Sequence, residues 1–589
     1  MISLIFNFLI CSTALLKIKE FKNNIESIYS LTAISFLISF TLNGIFGISF
    51  IFLKITYLPL IVFSSLIFFL MMLNNSMRNN FIFFKNSCKK ELSEILGSCK
   101  ENNLIKLVFL FLLILLFVSL GPINSSDAAN AYVGYPYKFW IKNSHFIDGN
   151  LNQGLLGLGD FSNLFFFQEK TTWLIRFTAF IPLIILLSLI LKRKTNKIIL
   201  FIILSSPVLI QWMSIGKNNF LSESCLVVIF LVWERYKSNR DLIYLISASL
   251  ISISFKISAL LICIPIFIFL IIFYKDKILK ISFEDFYKFI FTFPFLISTI
   301  SLLTIFSYRF YLYENPFYPL FTSIFNSNNQ QLLDWENTLK NWDRSTLFQL
   351  WIFFPKSIGK ISFVLGPANL FIFLGSILFI IRQGRSKVGN NTIIGISQFI
   401  LLLLFAQGRA DYYVSPIFLT YVGISNIEIF LTKNITVKNI FKITLIIQIL
   451  MFSAASIYLI YTNALVILNY DKGMDKIGWN YYNSKIISEK AINPVLSEST
   501  GMTHLYFKDE FVSNNAFEKC FYYNEDKSID NKYFYCVKKL GIKTIIVDKN
   551  KLSNDENFIC TRHQLKRVSR NIFLTRKKEV DFCYVKENL

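Results

Sequence analysis

The sequence predicts a polytopic α-helical membrane protein, a bundle of about 13–14 transmembrane helices followed by a small C-terminal extracytoplasmic α/β domain. Three observations lead there. Of the 589 residues, 54% are hydrophobic and 16% are charged, where a soluble chain carries roughly a quarter charged residues. Apolar runs of about 17–25 residues, long enough to cross a bilayer, recur along the chain. Beyond about residue 463 these runs stop, and short strand-like and helix-like stretches replace them.

The helices are expected near 1–16, 30–53, 57–74, 104–121, 172–191, 198–211, 219–234, 242–256, 257–274, 288–308, 360–381, 391–406, 412–431 and 440–463. The N-terminal run "MISLIFNFLICSTALLKIKEF" has its lysines after the apolar stretch, unlike a cleaved signal peptide. It reads as a first helix with Lys17, Lys19 and Lys22 inside. The stretch from Leu242 to Phe273 reads either as one long helix or as a tight pair around Lys256. Loop charge selects the pair. "KDKILK" then shares a side with "KRKTNK", "ERYKSNR", "RQGRSK" and "TKNITVK", and every strongly basic short loop is cytoplasmic. The formal charge of +23 is thus carried largely as orientation signals, and no nucleic-acid partner is expected.

This topology leaves the 122–171 loop, the turn "QWMSIGKNN" (211–219), the 309–359 loop and "QGRADYYVSP" (407–416) outside, together with the tail from 464 to 589. In the tail, "NPVLSEST" and "LGIKTIIVDKN" read as buried strands, and "NKYFYCVKK" reads as a helix. Cys520, Cys536, Cys560 and Cys583 lie there. Free buried thiols are one reading and two disulfides another, and sequence order favours Cys520–Cys536 with Cys560–Cys583 among three pairings.

Charged groups at a membrane boundary are expensive and each needs a reason. Asp127, in "INSSDAANAY", follows directly on an apolar run. It reads as a helix N-cap or as a general base that takes a proton from an acceptor hydroxyl. Asp148 in "IDGN" reads first as a turn residue, and Asp160 sits in "GLGDF", which follows no strand and is no nucleotide loop. The chain has 3 His, so no tight transition-metal site is indicated; a divalent metal is left open and no other cofactor is expected. Lys217, Lys256 and Arg409 come from three separate segments but share one predicted face. They read either as cations snorkelling to headgroups or as a phosphate-binding set, in which Arg offers a bidentate grip. In "YRFYLYENPFYPLF" the two prolines break the helix, and the tyrosines, Tyr318 among them, read as an aromatic belt or a sugar platform.

Taken in order, these segments resemble the GT-C superfamily of bacterial membrane glycosyltransferases. The likeness rests on Asp127 soon after a helix exit with an aromatic loop behind it, on "SIGKNN", on "ENPFYPLF", on "QGRADYYVSP" and on a small outer domain containing "LGIKTIIVD". The resemblance implies transfer of a hexosyl or pentosyl group from a polyprenyl-phosphate carrier to a glycan, lipid or protein acceptor. The transfer is expected at the extracytoplasmic face of the bacterial plasma membrane, with inversion. It implies Asp127 as base, with Lys217, Lys256, Arg309, Asn315, Tyr318, Arg409, Tyr412, Asp148 and Asp160 around the substrates. One departure stands out. Ala128 and Ala129 follow Asp127 where many members carry a second acid, so that acid must come from Asp148, Asp160 or elsewhere.

Other readings compete. An O-antigen-type polymerase or ligase would use arginines in a later loop, and the 309–359 loop holds Arg309 and Arg344. A transporter or flippase would scatter polar groups through helix centres, whereas these charges gather at one mouth. A noncatalytic scaffold would leave Asp127, Lys217 and Arg409 replaceable.

Overall fold

A computed structural model describes residues 2–16, 26–53, 58–123, 128–142, 151–166, 172–193, 197–279, 287, 290–341, 352–355, 358–383, 389–405, 409–423, 435–477, 481–498, 507, 510–523, 532–568 and 575–586. Helices dominate because a backbone in hydrocarbon must satisfy its polar groups internally. Six helices among the described residues are long and apolar enough to cross a membrane: Ser27–Leu53, Trp173–Lys192, Ile257–Tyr274, Phe293–Tyr313, Ile361–Arg382 and Ile435–Leu468. The number rises to 8 if each of two bent pairs is one span. The chain is an integral, multi-pass membrane protein.

Two of the apolar stretches are broken within their length. The stretch from 242 to 273 divides at Lys256, whose backbone is extended (φ −159°, ψ 126°) between the Asn239–Phe255 helix and an Ile257–Ala259 turn. The single helix expected over 198–211 is instead two, Lys197–Leu204 and Pro207–Ile215, bent by 55°. Pro207 is the cause. It crowds the residue before it out of helical space, and Ser206 sits at ψ 119°.

An amphipathic helix, Asn75–Glu101, also stands where the sequence led us to expect none. Asn74 caps it by accepting from the Ser76 and Met77 amides, and it departs from the preceding apolar helix at 102°. Its lysines and glutamates hide it from a search for apolar runs.

Ion pairs tie helix ends together on the side where the basic loops lie. Glu26 receives Arg193 at 3.1 Å and also Arg235, while Glu91 receives the Tyr29 hydroxyl at 2.9 Å and Lys192. At the other end of the Asn219–Tyr236 helix the loop after residue 150 is inlaid between helices. Gly44 makes room for it, since a Cβ there would stand 2.4 Å from the Leu158 carbonyl. The Ser162 hydroxyl donates to the Phe40 carbonyl at 2.6 Å.

The C-terminal region carries a five-stranded sheet: β1 (Val495–Ser497), β2 (Phe511–Val512), β3 (Thr544–Asp548), β4 (Phe558–Val568) and β5 (Thr575–Val585), in the order β2-β1-β3-β5-β4. β1 runs parallel to β2 and β3, and β5 runs antiparallel to β3 and β4. Alternation divides the core. Ile545 and Val547 pack with Phe517 and Val537 on one face, and Ile546 packs with Ile487 and Phe582 on the other. Disulfides join Cys520 to Cys536 and Cys560 to Cys583, the second bridging residues directly opposite in β4 and β5. The domain touches the Gln330–Asn341 and Gly134–Lys142 helices. Gln331 donates to the Asn515 carbonyl at 2.9 Å, and Tyr523 to Asp334 at 2.8 Å. The Lys138 ammonium stands 4.2 Å from the centre of the Phe511 ring.

Candidate active site

The turn "SIGKNN" is built on Gly216, which ends the Pro207–Ile215 helix in the left-handed region (φ 74°). Lys217 follows, buried, with its ammonium 4.4 Å from the centre of the Tyr132 ring. Tyr132 closes the π-helical turn Ala128–Tyr132, which begins immediately after Asp127. Asn218 reaches the other way, donating to the Gly159 carbonyl and to Asn163 Oδ1 at 3.1 Å. One turn therefore grips both the Ala128–Tyr132 turn and the segment around Gly159 and Asn163.

The helix break places Lys256 at the same mouth. Its ammonium donates to the Tyr412 hydroxyl at 3.2 Å and lies 4.6 Å from the centre of that ring. Tyr412 belongs to the turn Ala410–Tyr412, whose preceding residue, Arg409, forks onto Asp411 with both bonds at 3.2 Å. A planar guanidinium meeting two carboxylate oxygens is the geometry Lys lacks.

Asp160 completes the cluster. The Gly157 amide donates to its carboxylate at 2.9 Å, closing the first turn of Leu158–Ser162. Burial pushes this carboxyl up to about 7, against the opposing pull of the Gly157 bond, Lys256, Lys217 and Arg309. Gly157 itself lies so close to Phe255 that a Cβ would fall 1.6 Å from the Phe255 carbonyl oxygen. The residue beside Lys256 thus receives the loop that carries Asp160.

Arg309 and its neighbours hold that loop from the side. Arg309 is fully buried and donates to the carbonyls of Gly154 at 3.2 Å and Leu156 at 3.3 Å. Tyr308 donates to Gln153 and Tyr318 to Leu151, both at 3.2 Å. Tyr318 also stacks on Tyr313 with ring centres 4.0 Å apart. Asn315 shapes the "ENPFYP" turn, accepting from the Phe317 amide and donating to the Leu320 carbonyl, both at 2.9 Å. The hydrogen bonds are all with the protein's own backbone, and the stacked ring is its own Tyr313. Arg309, Asn315 and Tyr318 shape the site's wall, whereas Lys217, Lys256, Arg409, Tyr412 and Asp160 form its charged centre. Asp127 and Asp148 lie outside the described residues. Among the described residues no three His, Cys, Asp or Glu side chains gather as a metal site.

Three charged residues important here are absent from the sequence-based set. Glu223 is buried one turn into the Asn219–Tyr236 helix, within electrostatic reach of Lys256 and Asp411. Its Oε2 meets no hydrogen-bond partner among the described residues. Arg176 is fully buried and donates to the carbonyls of Met213 at 3.2 Å, Pro122 at 2.6 Å and Val118. It thereby ties the exit before Asp127 to the helix before Lys217. Asp411, partner of Arg409, is the third. The first two had a legible signal: "WLIRFTAF" and "FLSESCLVV" carry a charge inside an apolar run, which alone marks a residue for attention.

No protein-family model matches the chain, and no curated protein matches it in sequence. Among solved structures the backbone aligns with the crystal structure of ArnT from Cupriavidus metallidurans bound to undecaprenyl phosphate. The two are 10% identical, the alignment covers 82% of this chain and 98% of that one, and the TM-score is 0.46.

Proposed function

We infer that this chain is a membrane glycosyltransferase that moves a sugar from a polyprenyl-phosphate carrier to an acceptor at the extracytoplasmic face. The observation that carries the reading is the convergence of Lys217, Lys256 and Arg409 with Asp160 at one mouth of an apolar bundle. Such a mouth suits a substrate with a long apolar tail, an anionic phosphate and a polar sugar. The cations hold the phosphate and stabilise the charge that grows on it as the glycosidic C–O bond breaks. A carboxylate takes the proton of the acceptor hydroxyl, whose oxygen attacks the anomeric carbon from the opposite side, so configuration inverts in a single displacement.

Asp127 is the base in this reading. It lies five positions before Tyr132, the ring under Lys217. Asp160 supplies the second acid. Burial holds its carboxyl at about 7, so it divides between two protonation states near neutral pH. The acceptor is a glycan, lipid or protein, and the donor sugar a hexose or pentose.

The test compares polyprenyl phosphate with the matching polyprenol on the purified full chain. Polyprenyl phosphate is expected to raise Tm and the polyprenol to leave it unchanged, with the difference lost in Lys256→Gln. Equal effects of the two lipids would remove the phosphate from the reading.

A further inference from the structure

The Asn75–Glu101 helix takes no part in the outer mouth, and its surface divides into three sectors at about 100° per residue. One sector faces the bundle. Asn80, Phe84 and Glu91 are buried there, Phe84 lies with its ring centre 6.0 Å from that of Phe8, and Glu91 receives Tyr29 and Lys192. A second sector is polar and exposed, with Asn79, Asn86, Lys90 and Ser93. Between them runs a stripe at spacings of four and three: Arg78, Ile82, Lys85, Lys89, Leu92 and Leu96. All six are exposed, and the three aliphatic members stand 46%, 58% and 49% open. Three cations and three greasy side chains share the stripe, the last two aliphatics towards its C-terminal end, and no acid interrupts them.

Water suits the cations of this stripe but not its aliphatic groups, and hydrocarbon suits the reverse. A lipid headgroup layer suits both, since aliphatic tips enter among the acyl chains while Lys and Arg meet phosphates. The surroundings agree. The preceding Leu58–Leu73 helix exposes Leu66, Phe69, Leu70 and Leu73, a continuous apolar flank that ends as the new helix begins. The chain then turns by 102°, so if the first helix crosses the membrane the second lies along its surface. The basic loops predict the cytoplasmic side for this surface, where anionic lipid attracts Lys and Arg.

We propose that Asn75–Glu101 is a surface-lying anchor that binds anionic phospholipid headgroups through Arg78, Lys85 and Lys89 while Ile82, Leu92 and Leu96 insert beneath them. The test places photoreactive p-benzoylphenylalanine at Leu92 of the full chain. The protein is held in nanodiscs of equal phosphatidylglycerol and phosphatidylethanolamine, and the same label at Leu66 reports on bulk lipid. At Leu92, phosphatidylglycerol adducts are expected to exceed phosphatidylethanolamine adducts by about fivefold or more, the preference that even one cation near an anionic surface gives. The ratio is expected to fall to parity in an Arg78→Gln, Lys85→Gln, Lys89→Gln variant. It is also expected to fall in the unmodified stripe at about 1 M salt, where screening acts within ~3 Å, a check that does not depend on the variant folding. Equal labelling of the two lipids, a Leu92 ratio no higher than that at Leu66, absence of lipid adducts, or a crosslink to a second copy of the chain would each overturn the proposal.

Discussion

Arg409 and Asp411 share a fork in which each oxygen has its own N–H, and this sets what a substitution there should do. Arg409→Ala leaves a buried carboxylate without its partner, whereas Arg409→Lys restores charge but one donor direction only. Donor use is therefore expected to fall steeply in Ala and to recover in part in Lys, read as kcat/KM for the lipid-linked sugar. Asp127→Asn keeps size and capping ability but cannot take a proton, so turnover should fall by about 10²–10⁴-fold with donor binding unchanged. Wild-type turnover in the Asn variant would end the base assignment. Asp160 makes a pH prediction. Its carboxyl is raised from 3.8 to about 7 by burial, so the folded protein favours the neutral form. Its contribution to stability is full below the lower value and is lost as pH rises through the upper one. Asp160→Asn mimics the neutral form. Its Tm relative to wild type should climb between pH 4 and pH 7 and then level off, and a difference that stayed flat would contradict the burial of this carboxyl.

At the scale of elements, the inlaid loop is the sensitive part. Gly157→Ala drives a Cβ into the Phe255 carbonyl and must push the Asp160 loop away from Lys256. A loss of about 1–3 kcal/mol is expected, together with a loss of activity, measured by thermal unfolding and turnover on the same preparation. Gly97→Ala is the contrast, because nothing lies within 4 Å of its added Cβ. In an exposed helix interior it should stabilise by about 0.5–1 kcal/mol. Most helices were legible because apolar runs record burial in lipid directly. The break at Lys256 was legible through loop charge, and the tail's strands at "VLS" and "TIIVD" through short apolar runs. The break at Ser206 was not, although "SSP" carries the steric cause in plain view. Asn75–Glu101 escaped because its lysines, asparagines and glutamates interrupt every apolar run. The long β4–β5 hairpin escaped because its many Lys and Arg conceal the alternation of Leu565, Val580 and Phe582. Within the candidate cluster, Lys217, Lys256 and Arg409 drew attention in the sequence as expensive boundary cations, while Tyr412 entered only through the family resemblance. That Tyr318 and Asn315 bind backbone was not legible, since spacing does not say whether an aromatic or an amide faces a cavity or its own chain.

For the molecule as a whole, the two ends of the bundle differ in what they present to water, and the basic loops predict an orientation. Ser98 lies in the last turn of the amphipathic helix and Ser553 sits on the C-terminal domain, both exposed. Changed singly to Cys in a chain whose Cys88 and Cys99 are Ser, the two are expected to react with an impermeant thiol reagent from opposite faces. The remaining thiols are buried or disulfide-bonded and stay silent. Labelling from one face would remove the positive-inside assignment. The clamp at Arg176 bears on the molecule in another way. One guanidinium fastens the carbonyls of Val118, Pro122 and Met213, so the chain leading to Asp127 and the helix leading to Lys217 cannot drift apart independently. Their alignment is a cost met during folding, and in the proposed reaction a lipid arriving sideways from the bilayer would find its charges already aimed. Preorganisation of this kind shows in the temperature dependence of binding: little ordering entropy is lost, and loosening the clamp by Arg176→Met should appear first as an entropic penalty on donor binding.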